Sequence, residues 1–239
     1  MADLWVLVPS RGRPANVERL VRACALTCTA DTKLHFAFDD DDEHLNKSIA
    51  MTGGHRYTVG PRDSLAGWTN DLAARHIRRG DADALASVGD DMVPKTHGWD
   101  TALLGAVQLR GGFAYPEVER GLEHGRQPGI PEAVVISAAV VRALGGMVPR
   151  GPDGRPLMSH WFIDNVWRDL ADGACGGLAY VPVVVKHMHP NVPGGDRPDQ
   201  TYYDAAVRWA ADNAAYCRWR VLSMRADIDR VRRAMKVTA

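Results

Sequence analysis

The sequence has no long apolar run, no excess of either charge and no cysteine spacing typical of metal sites. Its N-terminal apolar run, LWVLVP, is too short for the core of a signal peptide or for a membrane span. Its 29 Lys and Arg residues balance 29 Asp and Glu residues, so the net charge creates no general attraction to nucleic acid or anionic membranes. A local patch of one charge is compatible with this balance.

Cysteine is scarce, with four residues in a chain of 239. Their spacing fits neither a zinc site nor a disulfide framework, so we expect reduced thiols in a soluble, cytoplasmic protein. Cys24 and Cys28 are expected to be neighbours on one helix. The length suits one large domain, with or without an added subdomain, and can bury a sizeable core.

Segments with the apolar pattern of strands alternate with segments of helical period. Between the first two strands, ANVERLVRACAL repeats apolar residues at helical spacing. SLAGWTNDLAARHIRRG and HWFIDNVWRDLADG also predict helices. This alternation predicts an α/β fold with a Rossmann-like, mainly parallel sheet flanked by helices. The predicted strands are LWVLVPS, KLHFAFD, RYTVG, ALASV and LAYVPVVVKH.

The C-terminal part is predicted to be a helical extension. Residues 202–235 indicate one or two helices. Apolar residues available to dock these helices on the rest of the chain are Trp209, Tyr216, Trp219, Leu222 and Ile228.

Polar clusters follow three of the predicted strands. SRGR occupies residues 10–13, four aspartates occupy residues 39–42, and Asp90 and Asp91 follow ALASV. Open α/β sheets bind ligands beyond the carboxyl ends of their strands, where loops and helix N-termini converge. The three clusters therefore predict a ligand site at this edge.

Asp90 and Asp91 are suited to Mg²⁺ or Mn²⁺, which take carboxylate oxygens and leave positions open for phosphate oxygens. A capped turn is the alternative. His187 and His189 end a later strand and share one of its faces, so at least one of them is predicted to bind the same metal. The alternative for the histidines is a structural role with hydrogen-bond partners.

Asp164 lies among apolar residues on a predicted helix, where partial burial raises a carboxyl pKa towards the range that a general base needs. Its alternative role is a helix cap. Arg11 and Arg13 lie in a loop entering a helix, a setting that favours phosphate or sugar oxygens. Residues 39–42 form either a second metal site or an acidic turn with one carboxylate that accepts hydrogen bonds from a nucleobase.

These pieces, taken in order over residues 4–190, resemble a glycosyltransferase of the GT-A fold, close to the large inverting family 2. One departure is that Gly89-Asp90-Asp91 replaces the frequent Asp-x-Asp, which leaves Asp91 as the direct metal ligand. The matching segments are VPSRGRP, FAFDDDDE, PRDSLAGWTNDLAA, SVGDDMVP, FIDNVW and VKHMHP.

The resemblance implies a role for each matching residue. Asp164 is the catalytic base, Asp91 binds Mn²⁺ or Mg²⁺ with Asp90 beside it, and His187 or His189 reaches the metal. It also implies a nucleotide-sugar donor, with a UDP-sugar preferred. The residues expected around the nucleotide are Pro9, Arg11, Asp39 or Asp40, Arg62 and Asn70.

The resemblance also implies a division of the chain and a class of acceptor. Residues 1–200 form the glycosyltransferase domain, in which about 1–100 bind the nucleotide-sugar and 101–200 the acceptor, and residues 201–239 form the helical extension. GDD-x₇-WD with a late H-x-H is similar to compact bacteriophage glycosyltransferases, some of which modify hydroxylated pyrimidines in DNA. The expected acceptor is such DNA, or else a glycan or small molecule, and a phage protein would act in the host cytoplasm.

The basic C-terminal segment is the local clue to a DNA acceptor. Residues 218–236 hold seven Lys and Arg against two Asp. They form either a polyanion-binding patch or a solvated helix face. Two other functions stay open: a metal-dependent hydrolase that uses the H-x-H pair, and a non-catalytic nucleotide-binding module.

Overall fold

An eight-stranded sheet runs through the computed structural model, which describes residues 3–110, 112–119, 130–192 and 194–236. The predicted strands are confirmed, and three further strands join them. The bounds are β1 Asp3–Pro9, β2 Asp31–Asp39, β3 Arg56–Gly60, β4 Ala84–Ser87, β5 Met92–Pro94, β6 Phe113–Glu119, β7 Val134–Ser137 and β8 Ala179–His187.

Helices flank the sheet, as the sequence predicts. Their bounds are α1 Pro14–Thr27, α2 Leu45–Met51, α3 Leu65–Arg79, α4 Trp99–Arg110, α5 Ala138–Leu144, α6 Ile163–Cys175, α7 Gln200–Ala206, α8 Trp209–Leu222 and α9 Met224–Lys236. α1, α3 and α6 follow the predicted segments closely, whereas α2 was not predicted. Part of the turn-rich stretch of the acceptor half, residues 120–129, lies outside the described residues.

The strand order is β3-β2-β1-β4-β7-β6-β8-β5. The first four strands are parallel, as is the β6–β8 pair, in agreement with the predicted mainly parallel sheet. β7 runs antiparallel to both of its neighbours, and β5 runs antiparallel to β8. The antiparallel pairing of β5 brings the segment after Asp91 alongside the end of β8.

Alternate residues of β1 belong to two separate cores. Leu4, Val6 and Val8 pack on the side of α1 and α4, whereas Trp5 and Leu7 pack on the side of α3, α5 and α6. Each strand residue therefore points into one of the two helical layers, because successive side chains of a strand face opposite sides. This layering holds the carboxyl ends of β1, β2 and β4 at one edge.

The C-terminal helices pack on α5 and α6 and extend the second core. Tyr216, Trp219 and Ile228 are buried there, as predicted. The docking prediction is wrong for Leu222, which is 73% exposed, whereas Trp209 is 51% exposed and its ring lies 5.7 Å from that of Phe162. The segment holds three helices rather than one or two, since α7 is a separate short helix. Within the described residues, no helix is both long and apolar enough to cross a membrane.

Candidate active site

A cavity of about 560 Å³ opens at the carboxyl edge of the parallel strands. Most of the site residues predicted from the sequence lie on its wall. They are Pro9, Arg11, Asp39, Arg62, Asp90, Asp91, Asp164, His187 and His189.

Asp91 and His187 meet inside the cavity. Asp91 Oδ2 lies 3.2 Å from His187 Nε2, and Glu132 Oε2 lies 2.8 Å from His187 Nδ1. Burial favours a higher pKa for Asp91, but the hydrogen bond and charge of His187, together with the charge of Arg13, outweigh it and lower the pKa. Asp91 therefore stays an anion, as a metal ligand must.

The donor set fits Mg²⁺ or Mn²⁺ in part. One carboxylate and one imidazole face each other, and a carboxylate on the second ring nitrogen orients the imidazole, as is common for histidine ligands. In the described part of the chain, no three His, Cys, Asp or Glu side chains converge as a complete metal cluster. A metal bound by Asp91 and His187 would take its other ligands from phosphate oxygens and water.

The two histidines of the H-x-H pair line the cavity and make different further contacts. His189 lies beyond the end of β8, and its ring packs edge-on against His187 and Tyr202, with centroids 5.2 and 5.4 Å apart. The contact with Asp91 is made by His187. The structure therefore favours His187 as the histidine that reaches a metal.

Asp90 supports the β1–α1 loop. Its carboxylate accepts hydrogen bonds from Ser10 Oγ at 2.5 Å and from Arg13 Nη1 at 3.2 Å. Burial raises the pKa of Asp90 to about 6, although the positive charge of Arg13 opposes this shift. Asp90 thus holds the loop that carries Arg11 and Arg13.

Arg11 and Asp39 form a pair on the nucleotide side of the cavity. Arg11 Nη1 lies 3.0 Å from Asp39 Oδ2 and also bonds Asp41. Asp39 Oδ1 accepts hydrogen bonds from Trp68 Nε1 at 2.7 Å and from the backbone N–H of Asp63 at 3.2 Å. The carboxylate predicted to contact a base is therefore oriented by protein donors.

A roof segment, residues 194–208, lies over the cavity and is fastened by ion pairs. Asp199 bonds Arg13 through two contacts of 2.5 and 2.8 Å, and its side chain also caps α7. Asp204 bonds Arg62 at 2.5 Å. Three acidic residues of the roof thus pair with arginines of the N-terminal half, because Asp196 also pairs with Arg19.

Asp164 faces the same cavity from the start of α6. It is the second residue of the helix and is half-buried, and its Oδ1 accepts a hydrogen bond from the backbone N–H of Asn165 at 3.0 Å. Phe162, just before the helix, has φ = 67° and is the one non-glycine residue with positive φ in the described ranges. The chain turns sharply here and directs the start of α6 at the cavity.

Solved structures with a similar fold include glycosyltransferases. Glucosyl-3-phosphoglycerate synthase from Mycobacterium tuberculosis, in complex with Mn²⁺, UDP-glucose and phosphoglyceric acid, matches 90% of this chain and 80% of its own, with a TM-score of 0.58 and 13% identity. S. aureus TarS (residues 1–349) matches 80% of this chain and 61% of its own, with a TM-score of 0.54 and 10% identity. No family model and no curated protein matches the sequence.

The chain has the GT-A fold. The fold predicted from the ordered motifs is thereby confirmed. Within this GT-A fold, the Asp91–His187 pair lies at the edge where the parallel strands end, and Asp164 lies on the wall of the same cavity.

Two predicted site residues of this GT-A fold lie away from the cavity. The side chain of Asn70 is buried, donates to Val148 O at 2.8 Å and accepts from Val148 N–H at 2.9 Å, so it fastens the loop after α5. Asp40 is exposed, and its backbone N–H donates to Gly60 O at 2.8 Å. Neither side chain lines the cavity, so their predicted nucleotide contacts find no support in the geometry.

Several acidic residues in or next to the site carry no sequence signal. Glu132 follows a turn-rich stretch, Asp199 precedes a short helix, and Asp212 lies inside α8. Each is a lone acidic residue without a recurring spacing. Only in the folded chain does Glu132 contact His187, Asp199 contact Arg13 and Asp212 contact the loop before α6.

Proposed function

We propose that this protein is a metal-dependent glycosyltransferase that moves a sugar from a nucleotide-sugar to an acceptor hydroxyl with inversion. The proposal rests on the observation that the Asp91–His187 pair and Asp164 line the same cavity of a GT-A fold. A UDP-sugar is the proposed donor, by analogy with the UDP-glucose complex of the mycobacterial synthase. A cytoplasmic location, in the host if the source is a phage, belongs to the same proposal.

The metal-binding residues in this proposal are Asp91 and His187. Mn²⁺ or Mg²⁺ bound there would neutralise the negative charge that develops on the nucleoside diphosphate leaving group. Glu132 holds the His187 ring through Nδ1, which leaves Nε2 directed at Asp91. Asp90 contributes indirectly, through its bonds to Ser10 and Arg13.

The donor side of the cavity offers arginines to the nucleotide and its phosphates. Arg11, Arg13 and Arg62 line it, and each forms an ion pair with an aspartate. Guanidinium groups match phosphate oxygens in geometry as well as in charge, so donor phosphates can replace aspartate partners. Pro9 and Asp39 complete this side.

Asp164 acts as the general base in the proposed reaction. It accepts the proton of the acceptor hydroxyl as that oxygen bonds the anomeric carbon and the bond to the nucleoside diphosphate breaks on the opposite face. Its position on the cavity wall, in the first turn of α6, supports the role.

The acceptor is proposed to be a glycan or a small molecule in preference to DNA. In the C-terminal helices, Arg220, Arg230 and Arg232 already pair with aspartates of the chain. Arg232 also donates to Gly173 O, nine residues further along α6 than Asp164, which is about 14 Å of helix. The basic patch and the proposed base are therefore separated.

The geometry gives less support to the two alternative functions. A hydrolase that uses the H-x-H pair needs both histidine rings directed at one metal, whereas the His189 ring packs edge-on against Tyr202 and His187 contacts Asp91. If the protein only bound a nucleotide and did not catalyse a reaction, the Asp164 carboxylate would have no chemical role on the cavity wall.

The test is release of UDP from UDP-glucose and related UDP-sugars, with and without Mn²⁺. We expect Mn²⁺-dependent hydrolysis that Asp91→Ala and Asp164→Asn both abolish, with UDP binding retained in Asp164→Asn. Asp172→Asn, an exposed position of the same helix, is the matched control and should keep full activity. A parent protein that binds UDP with Mn²⁺ but turns over no UDP-sugar would contradict the proposal.

A further inference from the structure

A carboxylate from the C-terminal helices holds the loop that leads into α6. Asp212, in α8, is 4% exposed. Its Oδ1 accepts a hydrogen bond from Ser159 N–H at 2.8 Å, and its Oδ2 accepts from the backbone N–H groups of His160 and Trp161 at 2.9 Å each. Ser159 Oγ lies 3.0 Å from both oxygens. Three consecutive backbone donors thus converge on one buried carboxylate.

These donors take the place of a cation. Asp212 forms no ion pair with any residue that the structure describes, and a buried carboxylate without partners is unstable. Successive backbone N–H groups form a concave anion site that compensates for the lost hydration. The loop conformation and the position of Asp212 therefore determine each other.

The same helix anchors the other end of the loop. The Phe162 ring stacks on Tyr216 at a centroid distance of 5.3 Å and an angle of 14°, and it lies 5.7 Å from the Trp209 ring. Phe162 is in the left-handed region, which residues with a side chain rarely adopt unless their surroundings enforce it. α8 thus constrains both the start and the end of residues 159–162.

The loop also contacts the first turn of α3. Ser159 O accepts a hydrogen bond from Ala66 N–H at 3.0 Å, and the neighbouring Ser64 and Leu65 line the cavity. Asp164 follows two residues after Phe162, so a change in the loop alters the direction of the Asp164 carboxylate. The Asp91–His187 pair lies on β8 and the segment before β5, which Asp212 does not contact.

We propose that Asp212 is a positioning residue for the transfer step, which sets the direction of Asp164 through residues 159–162. This inference rests on the proposed role of Asp164 as the base. Asp212 does not line the cavity and is not a catalytic residue. Through Asp212, α8 therefore contributes to the transfer step, although it lies outside the predicted glycosyltransferase domain.

Asp212→Asn tests the proposal, because the amide keeps the shape but turns an N–H towards backbone N–H donors. With UDP-glucose and Mn²⁺, we expect kcat for hydrolysis to fall about 100-fold, the order of loss for a displacement near 1 Å. KM for UDP-glucose and Kd for UDP should change less than about twofold, since the donor contacts are on other elements. Hydrogen exchange at the His160 and Trp161 amides should accelerate.

Asp227→Asn is the matched control. Asp227 is 2% exposed, lies in α9 and accepts from Trp219 Nε1 at 2.8 Å, so its substitution weakens the same extension without touching residues 159–162. We expect a lower Tm and an unchanged kcat. Equal kcat values in the two variants, or unchanged exchange in Asp212→Asn, would overturn the positioning role.

A second substitution keeps the test valid if Asp212→Asn does not fold. Asp212→Glu retains the charge but displaces the carboxylate by one methylene, so it should fold and lose about tenfold in kcat at constant KM. Full kcat in Asp212→Glu would also overturn the role. Failure of the proposed function is distinguishable, because it appears in the parent protein as an absence of UDP-sugar turnover.

Discussion

Asp91 Oδ2 and His187 Nε2 face each other 3.2 Å apart, although 96 residues separate them in the chain. The antiparallel pairing of β5 with β8 places Met92 opposite His187 and so brings the two side chains together. The Met188 N–H donates to Asp91 O at 2.8 Å and holds the two segments in register.

Asp91→Ala is expected to weaken Mn²⁺-dependent UDP binding by tenfold or more, on the order of the loss seen when metal-site groups are removed. Asp90→Asn should weaken it less, since Asp90 bonds Ser10 and Arg13 rather than facing His187. Calorimetry with UDP and Mn²⁺ measures both affinities. Full affinity in Asp91→Ala would reject the metal assignment.

His187→Ala should lower Mn²⁺ affinity, whereas His189→Ala should change it little. The reason is that His187 contacts Asp91 and His189 packs beside Tyr202. Glu132→Gln should have an intermediate effect of about tenfold, because it removes the carboxylate that orients the ring. Manganese titration followed by electron paramagnetic resonance reports these affinities, and a larger loss in His189→Ala than in His187→Ala would reverse the assignment.

Stability should fall as the pH decreases from 7 to 5. Burial, followed by the charges of His76 and Arg56, lowers the pKa of His35 to about 3, and burial also lowers the pKa of His76 despite its bond to Asp81. Below pH 6.5 His35 binds a proton in the unfolded chain but not in the folded one. The free energy of unfolding therefore keeps its full value above that pH and decreases below it.

The expected loss in unfolding free energy for His35 alone is roughly 2 kcal/mol at pH 5, from about 1.4 kcal/mol per pH unit. Urea denaturation at pH 7 and pH 5 measures it. His35→Gln should show a smaller difference between the two pH values. The same difference in the variant would mean that the buried histidine is not its source.

Gly173→Ala should destabilise the docking of α9 on α6 by about 1–3 kcal/mol, the usual range for overpacking. A Cβ on Gly173 would lie 2.3 Å from Ile228 Cδ1 and 2.8 Å from Cγ1. Adding Ile228→Val, which removes Cδ1, should recover part of the loss. Chemical denaturation of the single and double variants measures the coupling, and additive effects would exclude this clash.

Replacing Arg218, Arg225 and Arg233 with Gln should leave UDP-glucose hydrolysis unchanged. In the described part of the chain these arginines form no ion pair, so they are the groups of the basic patch most available to DNA. We expect little duplex binding by the parent at 0.15 M salt. Duplex affinity that the triple variant lowers, with a shallower salt dependence, would instead support a DNA acceptor.

Local patterns were enough to predict the strands of the parallel half and, of the helices between them, α1 and α3. The apolar alternation of Leu34, Phe36 and Phe38 and the helical spacing in α1 act within short stretches, so they can be read directly. The antiparallel positions of β5 and β7 could not be predicted this way. Strand pairing depends on distant partners, as for β7, which pairs with β4 about fifty residues earlier.

A match to a motif does not always identify a binding residue, as Trp99 and Asp100 show. Both belong to the GDD-x₇-WD spacing that contributed to the resemblance. In the structure Trp99 is buried, and Asp100 accepts hydrogen bonds from Thr29 N–H and Thr32 Oγ1, so the pair fastens the α1–β2 turn. A recurring spacing can therefore mark a packing requirement as readily as a binding residue.

Residue type and period alone placed Asp91 and His187 at the ends of strands and Asp164 on a helix, because polar residues that interrupt an apolar period stand out in the sequence. The tertiary structure decided which of them meet and what orients them. Glu132 reaches His187 across 55 residues, Asp212 reaches Ser159 across 53, and Asp199 reaches Arg13 across 186. Such contacts depend on how the layers pack, and no local spacing records them.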